Sequence, residues 1–391
     1  MHTDESVNAY LIGELLGGGI FHYDPQDRHG PALAAETLPV VRLLGAKNFA
    51  TLTEPQLRIV PVLTSAATVL LFGGAVELFG FIPCMVAALL FALAPLPVYY
   101  SRYFIHETLF VAATLGLILS GGHALQKKSF CSGALTGFCA ALMLACKETA
   151  ALHFFAIGLA LACARLAAPH LKCPPPKNIF AAAAASVLAG TLLFTWFGQN
   201  WRVFDDLVQA IPNFAARAGG QGHEKPFWYY GGLLAGGRSG AVILLVAVLG
   251  FFRGLRTPSS AARIFIAIYA LALFLVYSTI SYKTPWIALN LWLPLALLAG
   301  VAVEWLWLIS PQFFHRTAIM VLLTAIGILT WQDTRDRVFQ WPADEKNPYA
   351  YAHTGEDLLR LPPRIDELAR QNQLTSPRIA VVATDAWPLP W

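Results

Sequence analysis

Residues 131–166 read CSGALTGFCAALMLACKETAALHFFAIGLALACARL, and this stretch decides the fold. Its 36 residues include three charged ones, Lys147, Glu148 and Arg165. A helix that crosses a bilayer needs about 20 apolar residues, so the stretch is too long for one span and close to the length of two. Lys147-Glu148 therefore predicts a tight turn between two membrane-spanning helices.

The rest of the chain has the same character. Of its 391 residues, 57% are hydrophobic and 13% are charged, and its mean hydropathy is +0.56. Soluble proteins carry about 25% charged residues, which excludes an ordinary soluble enzyme, a coiled coil and a disordered chain. The length of the apolar runs favours helices over barrel strands. The net charge of +4 comes from scattered basic residues and argues against nucleic acid as a partner.

Apolar runs close to the length of a span recur ten times along the chain. They cover residues 58–79, 81–98, 106–123, 130–146, 149–167, 179–198, 239–253, 262–281, 286–308 and 316–332. The sequence therefore predicts an all-α polytopic membrane protein with about ten transmembrane helices. The run at 81–98 contains three prolines and the run at 239–253 is short, so these two are the weakest. The six cysteines form no CxxC pair and are predicted to be small core residues.

The loops between these runs alternate in charge, which predicts their sidedness. One set holds basic residues and no carboxylate: Lys127, Lys128, Arg165, Lys172, Lys177, Arg253, Arg256, Arg263 and Arg316. Because basic loops face the cytoplasm, this set is predicted to be cytoplasmic. This sidedness divides the chain into an external segment at 1–57, a transmembrane domain at 58–332 and an external tail at 333–391. We expect a multi-pass protein of the cell (inner) membrane with its site facing outside.

The external segments have structure of their own. Apolar spacing over 5–17 and 32–45 predicts amphipathic helices on the outer leaflet. The tail at 333–391 has the composition of a soluble domain, with a helix predicted over Glu356–Asn372 and a strand over Arg378–Thr384. This is the start of an α/β unit that the sequence does not complete.

Charged side chains cluster at the outer ends of the predicted helices. The clusters are Asp4-Glu5, Arg102 with His106-Glu107, Lys147-Glu148, and Lys283. An ionisable group at membrane depth costs about 2.5–3.5 kcal/mol, which marks these residues as functional candidates. The alternative is that they anchor helices at the interface. Asp205, Asp206, Asp333 and Asp336 lack partners at ligand spacing and are predicted to be solvated charges.

Carboxylates beside cations suit a reaction on a phosphate-linked substrate. A carboxylate can take a proton from an attacking hydroxyl, and lysine or arginine can neutralise a leaving phosphate. Glu107 with His106 could also hold one divalent metal ion, which is the single cofactor that these residue types suggest.

Six stretches carry a family resemblance: MHTDESVNAYLIGELL, FHYDPQDRHGPAL, ALAPLPVYYSRYFIHETLFV, ACKETAAL, SYKTPWIALNLWLPLALLAG and NPYAYAHTGEDLLRL. In order and topology they resemble the GT-C membrane glycosyltransferases, which include the protein O-mannosyltransferases and the aminoarabinose transferases. Within that group the chain is most similar to the flippase-activity-associated membrane proteins of archaea and bacteria. The resemblance implies a GT-C-like helical bundle, a polyprenyl-phosphate-linked sugar donor and inverting transfer outside the membrane.

The resemblance also implies roles for individual residues. Asp4 corresponds to the catalytic carboxylate of the first external loop, with Glu5 beside it and Glu107 in the second acidic motif. The residues expected to bind substrate or its phosphate are Arg102, Lys147, Glu148, Tyr282, Lys283 and His29. His29 stands in His-Gly-Pro, where the relatives carry His-Pro-Pro.

Two other functions stay open. A transporter or flippase component would carry charges at mid-membrane depth and inverted repeats, and neither is evident. A catalytically silent component of an envelope glycan assembly system would keep the same carboxylates. GT-C proteins also have a span before the Asp-Glu motif, whereas Met1 lies three residues before Asp4. We therefore expect a natural sequence that extends beyond both ends of this chain, which the sequence upstream of Met1 would test.

Overall fold

The computed structural model describes residues 2–26, 29–127, 129–169, 173–219, 222–257, 260–351, 353, 356–375 and 378–380. Within these ranges the protein forms helices and no strand, which confirms the all-α fold class. The α-helices are α1 (Thr3–Leu16), α2 (Ala32–Leu43), α3 (Glu54–Gly74), α4 (Val76–Phe79), α5 (Phe81–Leu93), α6 (Pro95–Tyr100), α7 (Glu107–Lys127), α8 (Phe130–Cys146), α9 (Ala150–Ala167), α10 (Pro176–Phe194), α11 (Val203–Arg217), α12 (Tyr229–Ala235), α13 (Gly240–Leu255), α14 (Ala261–Thr279), α15 (Ala288–Ile309), α16 (Phe313–Thr334) and α17 (Leu361–Gln371). Short 3₁₀ segments cover Phe49–Thr51, Pro285–Ile287 and Glu356–Arg360, and a π-helical turn covers Arg335–Gln340.

Seven of the described helices are long and apolar enough to cross a bilayer, namely α3, α7, α9, α10, α14, α15 and α16. The pair α12 and α13, bent by 111°, is an eighth if it forms one span. The apolar helices α5 and α8 are shorter, with 13 and 17 residues. All ten predicted runs therefore fall on helices, and seven helices meet the length of a span. The run at 81–98 is divided because Ala94 is extended and Pro95 begins a new helix.

The turn predicted at Lys147-Glu148 is confirmed. Helix α8 ends at Cys146, Lys147 is extended with φ −161°, and α9 begins at Ala150. The long apolar stretch is thus two helices, and the two charged residues lie between them.

Helix α15 forms the centre of the bundle. In the apolar segment of α15, 94% of the residues are buried inside the protein. In α16 the corresponding share is 6%, so most of the surface of α16 is available to lipid. Helices α5, α13 and α14 pack against α15, while α8 packs against α7 and α10, and α9 packs against α14.

Two of these contacts depend on glycine. A Cβ atom at Gly137 of α8 would lie 1.9 Å from the carbonyl oxygen of Ala182 in α10. At Gly250 of α13 it would lie 1.8 Å from the carbonyl oxygen of Leu298 in α15. Because helices in lipid associate through close backbone packing rather than a hydrophobic driving force, small residues at these crossings set the helix spacing.

Helices are present at both places where the sequence predicted them, 5–17 and 32–45, as α1 and α2. The helix predicted over Glu356–Asn372 is present as a 3₁₀ segment followed by α17. Most of the strand predicted over Arg378–Thr384 lies outside the described residues, as does everything after residue 380.

The first part of the tail packs against the bundle. Tyr100 donates a hydrogen bond to the carbonyl of Tyr349 at 3.0 Å, and Thr334 donates to the carbonyl of Leu93 at 2.5 Å. Residues 335–351 are therefore part of the folded core of the protein.

Two predictions about individual side chains were wrong. Asp333 and Asp336 are not solvated: both are buried and form ion pairs with Arg238, at 3.1 and 2.8 Å. Asp333 also accepts from the backbone N–H groups of residues 238 and 239, next to the start of α13. Asp333 and Asp336 are about 95 residues from Arg238 in the sequence, so the sequence did not reveal these ion pairs. Among the free cysteines, Cys131 and Cys173 are exposed rather than in the core.

We expect Gly137→Ala to lower the free energy of unfolding by about 1–3 kcal/mol, because the methyl group would force α8 away from α10. Gly190→Ala on α10 is the matched control, since a Cβ there meets open space. It should be neutral or slightly stabilising, because alanine favours a helix over glycine. Thermal unfolding in detergent measures both. Equal stability of the two variants would contradict close packing at Gly137.

Candidate active site

The start of α1 places Asp4 and Glu5 on different sides of the helix. The His2 ring nitrogen Nδ1 accepts the backbone N–H of Asp4, and Glu5 accepts the backbone N–H of His2, each at 3.0 Å. This reciprocal capping fixes the first turn, where the helix dipole favours carboxylates. Asp4 is exposed, and its carboxylate makes no hydrogen bond or ion pair within the described part of the chain.

Glu5 is buried and holds three segments together. It receives two hydrogen bonds from Arg58 of α3, at 2.9 and 2.8 Å, and one from the backbone N–H of Phe104 at 3.0 Å. Burial alone would raise the pKa of Glu5, but Arg58 outweighs burial and holds the pKa below its usual value. Glu5 is therefore an ionised structural anchor and does not face the cavity described next.

A cavity of about 390 Å³ opens beside α1. Seven of the predicted site residues line it: Asp4, His29, His106, Glu107, Lys147, Glu148 and Tyr282. Three predicted residues do not, namely Glu5, Arg102 and Lys283. The structure therefore brings side chains from five separate stretches of the sequence to one cavity.

Lys147 and Glu107 form an ion pair within the lining. The Lys147 side chain is 12% exposed and that of Glu107 is 3% exposed. Burial lowers the pKa of Lys147, but the Glu107 carboxylate outweighs burial and raises it, so the ammonium form is stable. The pair joins the first residue of α7 to the turn between α8 and α9.

Glu148 is held by two residues of the loop that follows α1. Tyr23 donates to Oε1 at 2.8 Å, and His29 Nδ1 lies 3.0 Å from Oε2. Burial would raise the pKa of Glu148, but these contacts, with His29 foremost, hold it well below its usual range. Glu148 is therefore an ionised carboxylate with both oxygens engaged.

The departure from His-Pro-Pro at Gly30 has a physical reason. A Cβ atom at Gly30 would lie 2.2 Å from the carbonyl oxygen of Ala145 in α8. The loop passes so close to the helix that no side chain fits, and this approach brings His29 to Glu148.

His106 lies between these groups and is neutral. It is buried, and its ring centroid is 5.3 Å from that of His29. Burial, together with the nearby His29 and Lys147 side chains, sets its pKa well below the usual value.

Arg102 and Lys283 lie away from the cavity. Arg102 donates to the carbonyl of Val338 at 3.0 Å and packs over the Phe339 ring. Lys283 is buried and donates to the backbone carbonyls of Lys225, at 3.1 Å, and Ile280. In this conformation both cations bind backbone carbonyls and stabilise the segments that contain them. The sequence had predicted that they would bind the substrate phosphate.

The residues proposed for a metal ion do not fit one. Among the described side chains no group of three or more His, Cys, Asp and Glu could hold a metal. Glu107 is already engaged by Lys147, whose ammonium group would repel a cation beside it. No chemical step below depends on a metal.

Sequence analysis missed several residues that line the cavity, among them Asn8, Thr149, His223, Tyr277 and Thr284. Asn8 carries the clearest signal, because it lies one helical turn after Asp4 and therefore on the same face of α1. Tyr277 and Thr284 flank the turn that contains the SYK motif. Their positions depend on the bend between α14 and α15, which periodicity does not predict.

Comparison with known proteins supports the fold. Residues 43–195 match the family of dolichyl-phosphate-mannose-protein mannosyltransferases. No curated protein sequence matches the chain. The fold is similar to ArnT from Cupriavidus metallidurans bound to undecaprenyl phosphate, at 15% identity and a TM-score of 0.59, over 77% of this chain and 55% of that one.

Two structures of the Archaeoglobus fulgidus oligosaccharyltransferase are similar over 98% of this chain and 58% of theirs. The apo form has 12% identity and a TM-score of 0.67. The form of AglB in complex with an inhibitory peptide and a dolichol-phosphate has 13% identity and a TM-score of 0.59. This chain thus spans a little over half the length of the proteins it resembles. It has the fold of these proteins, which confirms the GT-C-like helical bundle expected from the sequence.

We expect Lys147→Met to lower the free energy of unfolding by about 3–5 kcal/mol, because it leaves the buried Glu107 carboxylate without its cation. The double variant Lys147→Met with Glu107→Gln should recover most of this loss. Lys346→Met is the control, since Lys346 is exposed. Unfolding in detergent gives the four values. A single Lys147 variant as stable as the unmodified protein would rule out the pair as a structural element.

Proposed function

We propose that this protein transfers a sugar from a polyprenyl-phosphate-linked donor to an acceptor hydroxyl in the cavity beside α1. One observation carries the proposal. Of the three carboxylates that line the cavity, Glu107 is bound by Lys147 and Glu148 by Tyr23 and His29, while Asp4 is exposed and unpaired in the described chain. Asp4 is thus the carboxylate available to take a proton.

The chemistry follows from that division. Asp4 accepts the proton of the acceptor hydroxyl as its oxygen attacks the anomeric carbon. The bond between that carbon and the phosphate oxygen breaks, and polyprenyl phosphate leaves with the electron pair. Attack from the side opposite the leaving group inverts the anomeric configuration, as in inverting glycosidases, where base and leaving group also lie on opposite faces of the sugar.

Lys147 is the cation that can receive the leaving phosphate. An ammonium group has three N–H donors, and Glu107 takes one of them. The remaining donors can bond a phosphate oxygen where negative charge develops. Because Lys147 supplies the cation and Asp4 the base, the phosphate is assigned to the Lys147 side of the cavity and the acceptor to the Asp4 side.

The charge pattern supports an outward-facing site in the cell membrane. Thr149, next to the first turn of α9, lines the cavity, whereas Arg165 lies in the last turn of the same helix and belongs to the basic set. Because basic loops favour the cytoplasm, the cavity end of α9 is assigned to the exterior.

The relatives support the choice of donor. ArnT was solved with undecaprenyl phosphate and AglB with a dolichol-phosphate, so two proteins of this fold bind polyprenyl phosphates. Since one fold hosts many functions, the site residues and not the fold carry the proposal for this chain.

One observation favours a second function, a non-catalytic or flippase-associated component of an envelope glycan assembly system. The cavity has one lysine, already paired with Glu107, while Arg102 and Lys283 lie elsewhere. Such a site would bind a lipid-linked sugar less tightly than one with free cations and would suit handing it to another protein.

We expect Asp4→Asn to slow sugar transfer by about 10²–10⁴-fold, the usual contribution of general acid–base catalysis, without loss of membrane insertion. Transfer is measured with radiolabelled undecaprenyl-phosphate sugars in native membranes, which supply the acceptor. Asp205→Asn is the matched control, because Asp205 is an exposed carboxylate in the first turn of α11.

An Asp4→Asn variant that keeps full activity would reject Asp4 as the base. Binding of these lipids by the unmodified protein without any transfer would favour the non-catalytic function.

A further inference from the structure

A buried histidine connects two tyrosines across the helices behind the cavity. His153 of α9 is fully buried, and its Nδ1 and Nε2 atoms lie 2.7 Å from the Tyr269 hydroxyl and 2.9 Å from the Tyr277 hydroxyl. Both tyrosines belong to α14. Phe110 packs edge-on against the imidazole at 4.7 Å, which keeps the ring in one plane. The two contacts use both ring nitrogens.

The direction of these hydrogen bonds follows from Tyr269. Its hydroxyl is fully buried, and within the described chain its one hydrogen-bond partner is His153. If Tyr269 accepted a proton from Nδ1, its own O–H would be buried without an acceptor, which is strongly unfavourable. Tyr269 therefore donates to Nδ1.

This assignment fixes the next bond. A neutral imidazole carries one N–H, so an accepting Nδ1 places the proton on Nε2. Nε2 then donates to the Tyr277 oxygen. The Tyr277 O–H proton is not used by His153 and is free to be donated elsewhere.

Tyr277 lines the cavity. Thr149, whose side chain is within hydrogen-bonding reach of the Tyr277 oxygen, and Thr284 also line it. The Thr284 hydroxyl is buried and has no hydrogen-bond partner among the described residues. The lining therefore offers neutral hydroxyl groups as well as the charged side chains of Asp4, Glu107 and Lys147.

We propose that Tyr277 donates a hydrogen bond to an oxygen of the lipid-linked sugar phosphate, and that His153 is a positioning residue that directs this proton into the cavity. The inference rests on the proposed function for the identity of the ligand. The ligand oxygen belongs either to the phosphate or to a sugar hydroxyl, which share the chemistry of a hydrogen-bond acceptor. Tyr269 does not contact the ligand. It affects the Tyr277 hydrogen bond indirectly, because it sets the tautomer of His153.

The proton assignment is tested without any substrate. In ¹⁵N NMR of histidine-labelled protein in nanodiscs, with His153→Phe used to identify the signals, Nδ1 of His153 should resonate as an unprotonated nitrogen and Nε2 as a protonated one. The reverse assignment, or a doubly protonated ring, would overturn the positioning role whether or not the protein is a glycosyltransferase.

The ligand contact is tested by binding of undecaprenyl-phosphate glucose and of undecaprenyl phosphate to the purified protein. Tyr277→Phe should weaken binding roughly 3- to 10-fold, as expected for one hydrogen bond. Weaker binding of both lipids places the bond on the phosphate, and weaker binding of the glucose lipid alone places it on the sugar. Unchanged affinity for both lipids would overturn the proposal.

Tyr269→Phe separates positioning from structure. It should weaken binding although Tyr269 does not line the cavity, and the double variant with Tyr277→Phe should bind no worse than Tyr277→Phe alone, because both act through one proton. Tyr100→Phe is the control: it also removes one hydrogen bond of a fully buried tyrosine, to the carbonyl of Tyr349.

The control should lose stability and keep its affinity. If Tyr269→Phe behaves in the same way, His153 is merely structural. If the unmodified protein binds neither lipid, the proposed function fails and the ligand contact with it, while the NMR result still decides the direction of the Tyr277 proton.

Discussion

The ion pair between Lys147 and Glu107 is the constraint on which the site depends. Lys147 interrupts the apolar stretch 131–166, and a buried ammonium group without a partner is costly. Glu107 compensates its charge from the first residue of α7. The pair therefore pins α7 to the turn between α8 and α9, and in doing so brings His106, Glu148 and Thr149 to the same cavity.

The other buried and half-buried carboxylates named above are also paired, and this divides the carboxylates by role. Glu5 is bound by Arg58, Asp333 by Arg238, and Glu148 by His29 and Tyr23. Each of these pairs ties together segments far apart in sequence, because a buried carboxylate is tolerated where it is paired and hydrogen-bonded. Asp4 is exposed instead, so its carboxylate is available for chemistry.

Much of the fold could be predicted from the sequence, since apolar length and charge determine where a chain crosses a bilayer. The turn at Lys147, the helices α1 and α2 and the fold class all follow from such patterns. Seven described helices reach span length and three runs do not, because Pro95 divides one run, α8 has 17 residues, and α13 is short and bent against α12. Hydrophobicity alone does not report such breaks.

The site was predicted less completely, for geometric reasons. Consecutive residues of a helix point about 100° apart, so Asp4 can face the cavity while Glu5 faces Arg58. Arg102 was assigned to the substrate because its actual partners, Val338 and Phe339, are far away in the sequence. A sequence pattern does not show such long-range contacts. His153 and Tyr277 are polar residues within apolar runs, and pattern alone does not show which of them meet across two helices.

The central claim is that Asp4 and Lys147 act on opposite ends of one sugar-phosphate linkage. A cryo-EM structure of the protein in nanodiscs with undecaprenyl-phosphate glucose tests it most directly. We expect the phosphate within about 3 Å of Lys147 Nζ, at hydrogen-bonding distance, and the sugar between that phosphate and the Asp4 carboxylate. A lipid headgroup bound outside this cavity, or a sugar turned away from Asp4, would contradict it.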